Sequence, residues 1–155
     1  ARAVERLLHD KRTTFVVVTT LEASPLHEAR VFCDELVARD FPFGAIVLNK
    51  TLPAFFTAPD GARAATLLAD DADVIAADLV ATGEGPLADA AIDARVLRTI
   101  AASYRNFAVV ASREAELREE LGRAPEVIVD VPNLDADVHD LGGLARIADA
   151  LFPEA

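Results

Sequence analysis

Asn49 is the residue whose type and position most directly suggest chemistry, because it stands directly after an apolar run, Ala45 to Leu48. Its amide carries both hydrogen-bond donors and an acceptor, the combination that lies along the edge of a purine base. An asparagine in this place can also form the turn that follows a strand, since its side chain bonds readily to nearby backbone. From the residue alone, a base contact and a turn both remain open.

A carboxylate, Glu22, follows the first apolar run, Thr14 to Thr20, in the same way. It could accept a hydrogen bond from a ribose hydroxyl or an exocyclic amine, or it could position a water molecule. It could also be a solvated loop acid near a helix N-terminus, where negative charge is favourable.

Three aspartates and a histidine crowd one loop near the end of the chain, namely Asp135, Asp137, His139 and Asp140. Oxygen ligands at alternate positions with a histidine could bind a divalent ion. We favour a structural role, because aspartate is a preferred helix N-cap and no second group of ligands is evident in the sequence. We therefore predict no metal site and no catalytic residue in this chain.

A strand–helix–strand unit must position Glu22 and Asn49. Thr14–Thr20 and Ala45–Leu48 are β-branched and apolar, which predicts two strands buried on both faces. Apolar residues between them recur at spacings of three and four, which predicts a helix that begins at Ser24-Pro25 with a hydroxyl N-cap. Short connections of this kind are typical of a parallel βαβ unit.

A third strand is predicted over Glu126–Val131, followed by a loop, Pro132 to Asp140, and a last helix with its apolar face between Leu141 and Leu151. The predicted fold class is therefore α/β, a parallel sheet flanked by helices. Ligands of such sheets bind at the carboxyl ends of the strands, which is where the candidate residues stand.

The middle of the chain differs in character, because residues 51–90 combine prolines with an alanine-rich stretch that contains few large apolar residues. We predict that they form a helical insertion within a single domain. Arg95–Leu121 is predicted to be one long helix, and this includes Phe107–Ala111, whose sequence FAVVA also suits a strand.

Composition excludes several classes of function. The 155 residues carry a net charge of −11, which disfavours nucleic acid and anionic membranes as partners. The one cysteine, Cys33, is predicted to be a small buried hydrophobe, and it allows no internal disulfide. No apolar run is long enough to span a membrane. The sequence contains no methionine, so we expect a piece of a longer protein, and its alanine content suggests a bacterial source.

Two stretches resemble one family. Thr14 to Asn49, TFVVVTTLEASPLHEARVFCDELVARDFPFGAIVLN, resembles the C-terminal half of the arsenite-pump ATPases and of their relatives that target tail-anchored proteins. In these P-loop ATPases of the deviant Walker A class, a strand ends before a glutamate, a helix follows, and the next strand ends in asparagine. Val129 to Phe152, VDVPNLDADVHDLGGLARIADALF, resembles the adenine loop and closing helix of the same family.

The resemblance implies the C-terminal part of a P-loop ATPase domain, with ATP and Mg²⁺ as cofactors and ATP hydrolysis coupled to motion of a dimer. It implies nucleotide contacts from Glu22 and Asn49, with Asn49 at adenine, and a loop around the base formed by Pro132, Asn133 and Leu134. The P-loop and the Mg²⁺ ligands would lie in a missing N-terminal part, so this segment alone is expected to be inactive. The implied location is the cytoplasm, as a homodimer or as a heterodimer with a paralogue.

The sequence departs from the family where the targeting branch carries a zinc-binding CxxC, because no cysteine follows Asn49. No zinc-clamped dimer is therefore implied. Two further functions stay open, namely a partner subunit of the same fold that does not hydrolyse ATP, and a protein-interaction module whose insertion and long helix bind a hydrophobic client.

Overall fold

The computed structural model describes residues 2–84, 89–121 and 127–152. Six α-helices, three strands and a short 3₁₀ turn follow one another in these residues. In chain order they are α1 (Arg2–Leu8), β1 (Phe15–Thr19), α2 (Ala23–Ala38), β2 (Phe43–Thr51), the 3₁₀ turn (Ala54–Phe56), α3 (Pro59–Asp70), α4 (Ala72–Thr82), α5 (Ala90–Glu120), β3 (Val127–Pro132) and α6 (Leu141–Leu151).

The chain divides into two compact units. The sheet unit consists of Ala1–Leu52 together with Glu114–Ala155, and the helical unit consists of Pro53–Arg113. The helical insertion predicted over residues 51–90 stays a prediction; the helical unit extends further along α5 than that range.

The three strands form one parallel sheet in the order β1-β2-β3. Val17 of β1 pairs with Ile46 of β2, which in turn pairs with Ile128 of β3. The predicted α/β class and the parallel pairing of the first two strands are thereby confirmed. The third strand predicted over Glu126–Val131 corresponds to β3, and its predicted first residue, Glu126, lies outside the described residues.

One face of the sheet carries the core of the sheet unit. Large branched side chains dominate it, and Leu26, Ile46 and Leu48 are each at most 2% exposed. Helix α2 and the end of α5 cover this face, so that a single cluster joins Val17, Leu21, Leu26, Ala29, Cys33, Leu36, Ile46, Leu48, Leu117 and Leu121. Cys33 is buried in this cluster, as its place on the apolar face of a helix predicts.

The opposite face of the sheet is open at β1. Val16 and Val18 of β1 point to this face and are 53% and 63% exposed, whereas Val47 of β2 and Val131 of β3 are buried there. The expectation that β1 is buried on both faces is therefore wrong for the described residues. The reason is that no described element of the sheet unit covers the outer face of β1, whereas α6 packs against β3.

Alanines dominate the interior of the helical unit. Ala72 and Ala76 of α4 pack against Ala94 of α5, and each is at most 1% exposed. Helix α5 runs without a break from Ala90 to Glu120, which confirms that Phe107–Ala111 is helical. Among the described residues, no helix is both long enough and apolar enough to cross a membrane.

Aromatic side chains of the 3₁₀ turn pack against α5 within the helical unit. The Tyr104 hydroxyl lies 3.0 Å from the backbone oxygen of Phe55, and the rings of Phe56 and Phe107 are 5.2 Å apart. A Cβ at Gly61 would collide with the Tyr104 hydroxyl, so this contact requires glycine at that position.

Candidate functional site

The carboxyl ends of the strands bring the predicted residues to one edge of the sheet. Asn49 pairs in register with Val131, the residue that immediately precedes the loop Pro132–Leu134. The backbone N–H of Asn133 donates to the carbonyl oxygen of Thr51 at 2.9 Å, which holds the start of that loop against the end of β2. Asn49 and this loop therefore lie on neighbouring strands at the same edge.

A β-bulge at Lys50 interrupts the pairing between β2 and β3. Asn49 pairs with Val131 and Thr51 pairs with Pro132, so that Lys50 is an extra residue in β2. Its backbone φ of 60° lies in the left-handed region, which costs a side-chain-bearing residue about 1 kcal/mol or more. Bulges often occur beside functional sites because they re-aim a neighbouring side chain, and here that neighbour is Asn49.

An open cleft of about 510 Å³ lies at the carboxyl end of β1. Residues of β1, α2 and the end of β2 line it, namely Val17, Val18, Thr19, Thr20, Pro25, Glu28, Ala29, Phe32 and Asn49. It therefore combines apolar walls with two hydroxyls, one carboxylate and one amide, which is the composition of a small-molecule site. Among the predicted residues, Asn49 contributes to this lining, whereas Glu22 and Pro132–Leu134 do not.

Glu22 is the N-cap residue of α2, which begins at Ala23. The prediction that Ser24 caps this helix is therefore wrong by two residues, because the turn after β1 is tighter than the Ser-Pro pattern indicates. The Glu22 side chain forms no capping hydrogen bond, and the Thr20 hydroxyl donates to Glu22 Oε1 at 3.1 Å. This bond holds the exposed carboxylate beside the cleft-lining Thr20.

The aspartate-rich loop before α6 has the predicted structural role. The Asp140 carboxylate is the N-cap of α6 and accepts a hydrogen bond from the Gly143 backbone N–H at 2.7 Å. His139 Nδ1 lies 2.8 Å from the backbone oxygen of Asp137. In the part of the chain that the structure describes, no group of three His, Cys, Asp or Glu side chains could hold a metal ion.

Three cleft residues were not singled out as site residues from the sequence, namely Thr19, Thr20 and Glu28. The two threonines end an otherwise apolar strand, and that change from valine to hydroxyl residues is the signal that could have identified them. Glu28 shares α2 with many solvated charges, so the sequence gives no sign that it lines a cleft.

Ion pairs fix α5 to the elements around the sheet. Arg118 of α5 pairs with Asp130 of β3, and Arg30 of α2 lies 3.9 Å from Glu120 of α5. All four side chains are substantially exposed, so each pair contributes little free energy, typically about 0–1 kcal/mol. They join the last turns of α5 to α2 and β3 within the sheet unit.

Comparison with known proteins gives relatives that carry the word ATPase in their names, while a scan against protein-family models finds no match. The chain is 30% identical over 151 residues to the ATPase BagA of Mycobacterium tuberculosis, and equally similar to a Mycobacterium bovis protein that is also named as an ATPase. Each alignment covers 97% of this chain and 42% of the relative. The chain thus spans about two fifths of the length of the curated relatives it matches.

Proposed function

We propose that this chain is the C-terminal part of an ATPase of the arsenite-pump type, and that it forms the adenine side of the nucleotide pocket. The observation that carries the proposal is the position of Asn49, which lines the cleft and pairs with the residue before the Pro132–Leu134 loop. The similarity to relatives named as ATPases supports nucleotide hydrolysis by the complete protein.

The chemistry of Asn49 suits a purine edge. Its side chain is half-buried at the end of a strand, and within the described residues no protein group bonds to its amide. A half-buried amide without a partner can give both a donor and an acceptor to a ligand. Pro132, Asn133 and Leu134 would then cover the base, and Glu22, held by Thr20, would lie at the edge of the pocket.

The exposed outer face of β1 supports the view that sequence outside these residues covers the sheet. Parallel sheets are normally covered on both faces, yet Val16 and Val18 are exposed. The P-loop and the Mg²⁺ ligands of the proposed ATPase would come from outside these residues. The same proposal implies a dimer in the cytoplasm.

Nucleotide titration of the full-length protein tests this function. Asn49→Ala should weaken binding of ATP by about 5- to 150-fold, because a desolvated base edge loses paired hydrogen bonds worth about 1–3 kcal/mol. Asn106→Ala, at an exposed asparagine of α5, is the matched control and should leave affinity unchanged. Hydrolysis should fall through KM rather than kcat, since the residues that act on the γ-phosphate lie elsewhere. Unchanged affinity in a folded Asn49→Ala variant would contradict the proposed base contact and would indicate that Asn49 serves only in the turn after the strand.

A further inference from the structure

A side chain of α5 holds the segment that follows β2. The Glu114 carboxylate accepts a hydrogen bond from the backbone N–H of Leu52, and Oε2 lies 2.9 Å from that nitrogen. Both residues belong to the sheet unit, and both are half-buried. The chain leaves the sheet unit after Leu52 and returns to it at Glu114. The bond therefore fixes the last residue of the sheet unit before the chain departs.

This bonded segment directly follows the bulge at Lys50. A residue that bears a side chain keeps a left-handed backbone only where surrounding contacts fix it there, and the φ of Lys50 is 60°. After the bulge, the carbonyl oxygen of Thr51 accepts from the backbone N–H of Asn133 at 2.9 Å, and Leu52 donates to Glu114. The loop after β3 and the Glu114 side chain thus both hold the chain on this side of the bulge.

Asn49 lies immediately before the same bulge. It pairs with Val131, whereas Thr51 pairs with Pro132 after the extra residue. Successive side chains of a strand point to opposite faces, so the loss of one extra residue from the pairing would change the direction of the neighbouring side chains. The direction of the Asn49 amide therefore depends on the contacts that keep Lys50 in its left-handed conformation.

We propose that Glu114 is a positioning residue of the nucleotide site, because its bond to Leu52 keeps the bulge formed and the Asn49 amide turned toward the base. The inference rests on the proposed function, since it requires the contact between Asn49 and adenine. Glu114 acts through the backbone of β2 and needs no contact with the nucleotide. A carboxylate suits this role, because an ionised acceptor bonds a backbone N–H more strongly than a neutral one does.

Two substitutions separate the reach of the Glu114 side chain from its charge. Glu114→Gln removes the charge but keeps an acceptor oxygen at the same distance along the side chain, whereas Glu114→Asp keeps the charge and is one methylene shorter. In the full-length protein, Glu114→Asp and Glu114→Ala should weaken ATP binding about five- to twentyfold, and Glu114→Gln less than about threefold. Glu119→Ala, at an exposed glutamate of the same helix, is the matched control and should leave affinity unchanged.

A double-mutant cycle tests whether Glu114 acts through Asn49. In a protein that already carries Asn49→Ala, Glu114→Asp should change ATP affinity less than about twofold, because the amide that it would misdirect is gone. A merely structural role would lower the affinity by the same factor in both backgrounds. Glu114→Asp should also raise KM for ATP and leave kcat unchanged, since the residues that act on the γ-phosphate lie elsewhere.

The measured affinities distinguish failure of the proposed function from failure of this inference. If folded Asn49→Ala binds ATP as tightly as the wild type, the base contact fails, and the positioning role fails with it. If Asn49→Ala weakens binding and Glu114→Asp does not, the positioning role alone is overturned. It is also overturned if the two effects multiply in the double variant, if Glu114→Gln binds as weakly as Glu114→Ala, or if Glu119→Ala weakens binding equally. Circular dichroism establishes that each variant is folded, and Glu114→Asp with Glu114→Gln decides the matter if Glu114→Ala does not fold.

Discussion

The sheet unit and the helical unit are built from different core residues. Leucine, isoleucine and valine fill the sheet unit, and Leu48 is completely buried at its centre. In the helical unit, Ala72, Ala76 and Ala94 hold the helices together. Burying a branched side chain stabilises a fold by about 1.5–3 kcal/mol, and burying an alanine methyl contributes far less. The sheet unit should therefore be the more stable support for a binding site.

This difference also explains where each unit keeps its large apolar residues. The sheet unit buries several of them under α2 and exposes others, such as Leu141 at 84%, whereas in the described part of the helical unit every buried apolar residue is an alanine and larger residues such as Val74 of α4 are exposed. Alanine faces bring helices close together but leave the larger side chains outside.

The largest expected effect is in the sheet unit, at Leu48. Leu48→Ala should lower the free energy of unfolding by about 2–5 kcal/mol, because it leaves a cavity among close-packed neighbours. Denaturant unfolding followed by circular dichroism measures this change. Leu141→Ala is the matched control at a leucine that is 84% exposed, and it should cost less than about 0.5 kcal/mol. Equal losses in both variants would contradict the contrast between a tightly packed sheet unit and its surface.

A smaller effect of opposite sign is expected in the helical unit, at Asp93. This carboxylate is 2% exposed, and neither of its oxygens has a hydrogen-bond partner in the part of the chain that the structure describes. An unpaired buried polar group costs about 1–3 kcal/mol, so Asp93→Ala should stabilise the protein by about 1 kcal/mol. Thermal unfolding would detect the gain.

Asp89 supplies the matched control for Asp93. Its carboxylate accepts hydrogen bonds from the backbone N–H groups of Ala91 and Ile92 at 2.9 Å and 3.2 Å, and so caps the start of α5. Asp89→Ala should therefore destabilise the protein by about 1 kcal/mol. If both substitutions change stability in the same direction, the inference that the Asp93 carboxylate is buried without a hydrogen-bond partner is wrong.

The smallest effect concerns Cys33, the lone thiol of the sheet unit. Burial, and secondarily the negative charge of Asp34, raise the pKa of this thiol. The neutral thiol is therefore favoured in the folded protein. The buried neutral thiol contributes fully to stability below the ordinary cysteine pKa of about 8.5. Above that pH its contribution declines, because the thiol of the unfolded chain ionises more readily than the buried one. Iodoacetamide at about pH 8.5 should alkylate Cys33 much more slowly in the native protein than in denaturant. Equal rates would indicate that the sheet unit opens readily around α2.

Much of the fold was predictable from local pattern. The β-branched runs predicted β1 and β2 and their parallel pairing, and flanking helical sequence correctly assigned Phe107–Ala111 to α5. The exposed outer face of β1 was not predictable, because an apolar run has the same sequence whether or not another element covers it. The start of α2 was misjudged because Ser24-Pro25 offers good capping chemistry, while the tight turn after β1 begins the helix at Ala23.

The sequence allowed the position of the candidate residues at the strand ends to be predicted, but not the local geometry of the site. The ends of parallel strands meet at one edge, and this correctly gathered Asn49 and the Pro132–Leu134 loop there. The bulge at Lys50 was not predictable, since a left-handed lysine has no sequence signature. Glu28 was missed as a cleft residue because its exposure to the cleft depends on how α2 packs on the sheet, which is a tertiary property.

The free edge of β1 has a consequence for handling the chain. Among the described residues, no strand pairs with the outer edge of β1, so this edge presents a row of backbone donors and acceptors. The strand reads FVVVT, without charge or proline. Short uncharged segments of high β-propensity are typical starting points for cross-β stacking between molecules. At high concentration this chain should therefore associate through the outer edge of β1. Under the proposed ATPase function, a strand from outside these residues would pair with β1 and prevent that association.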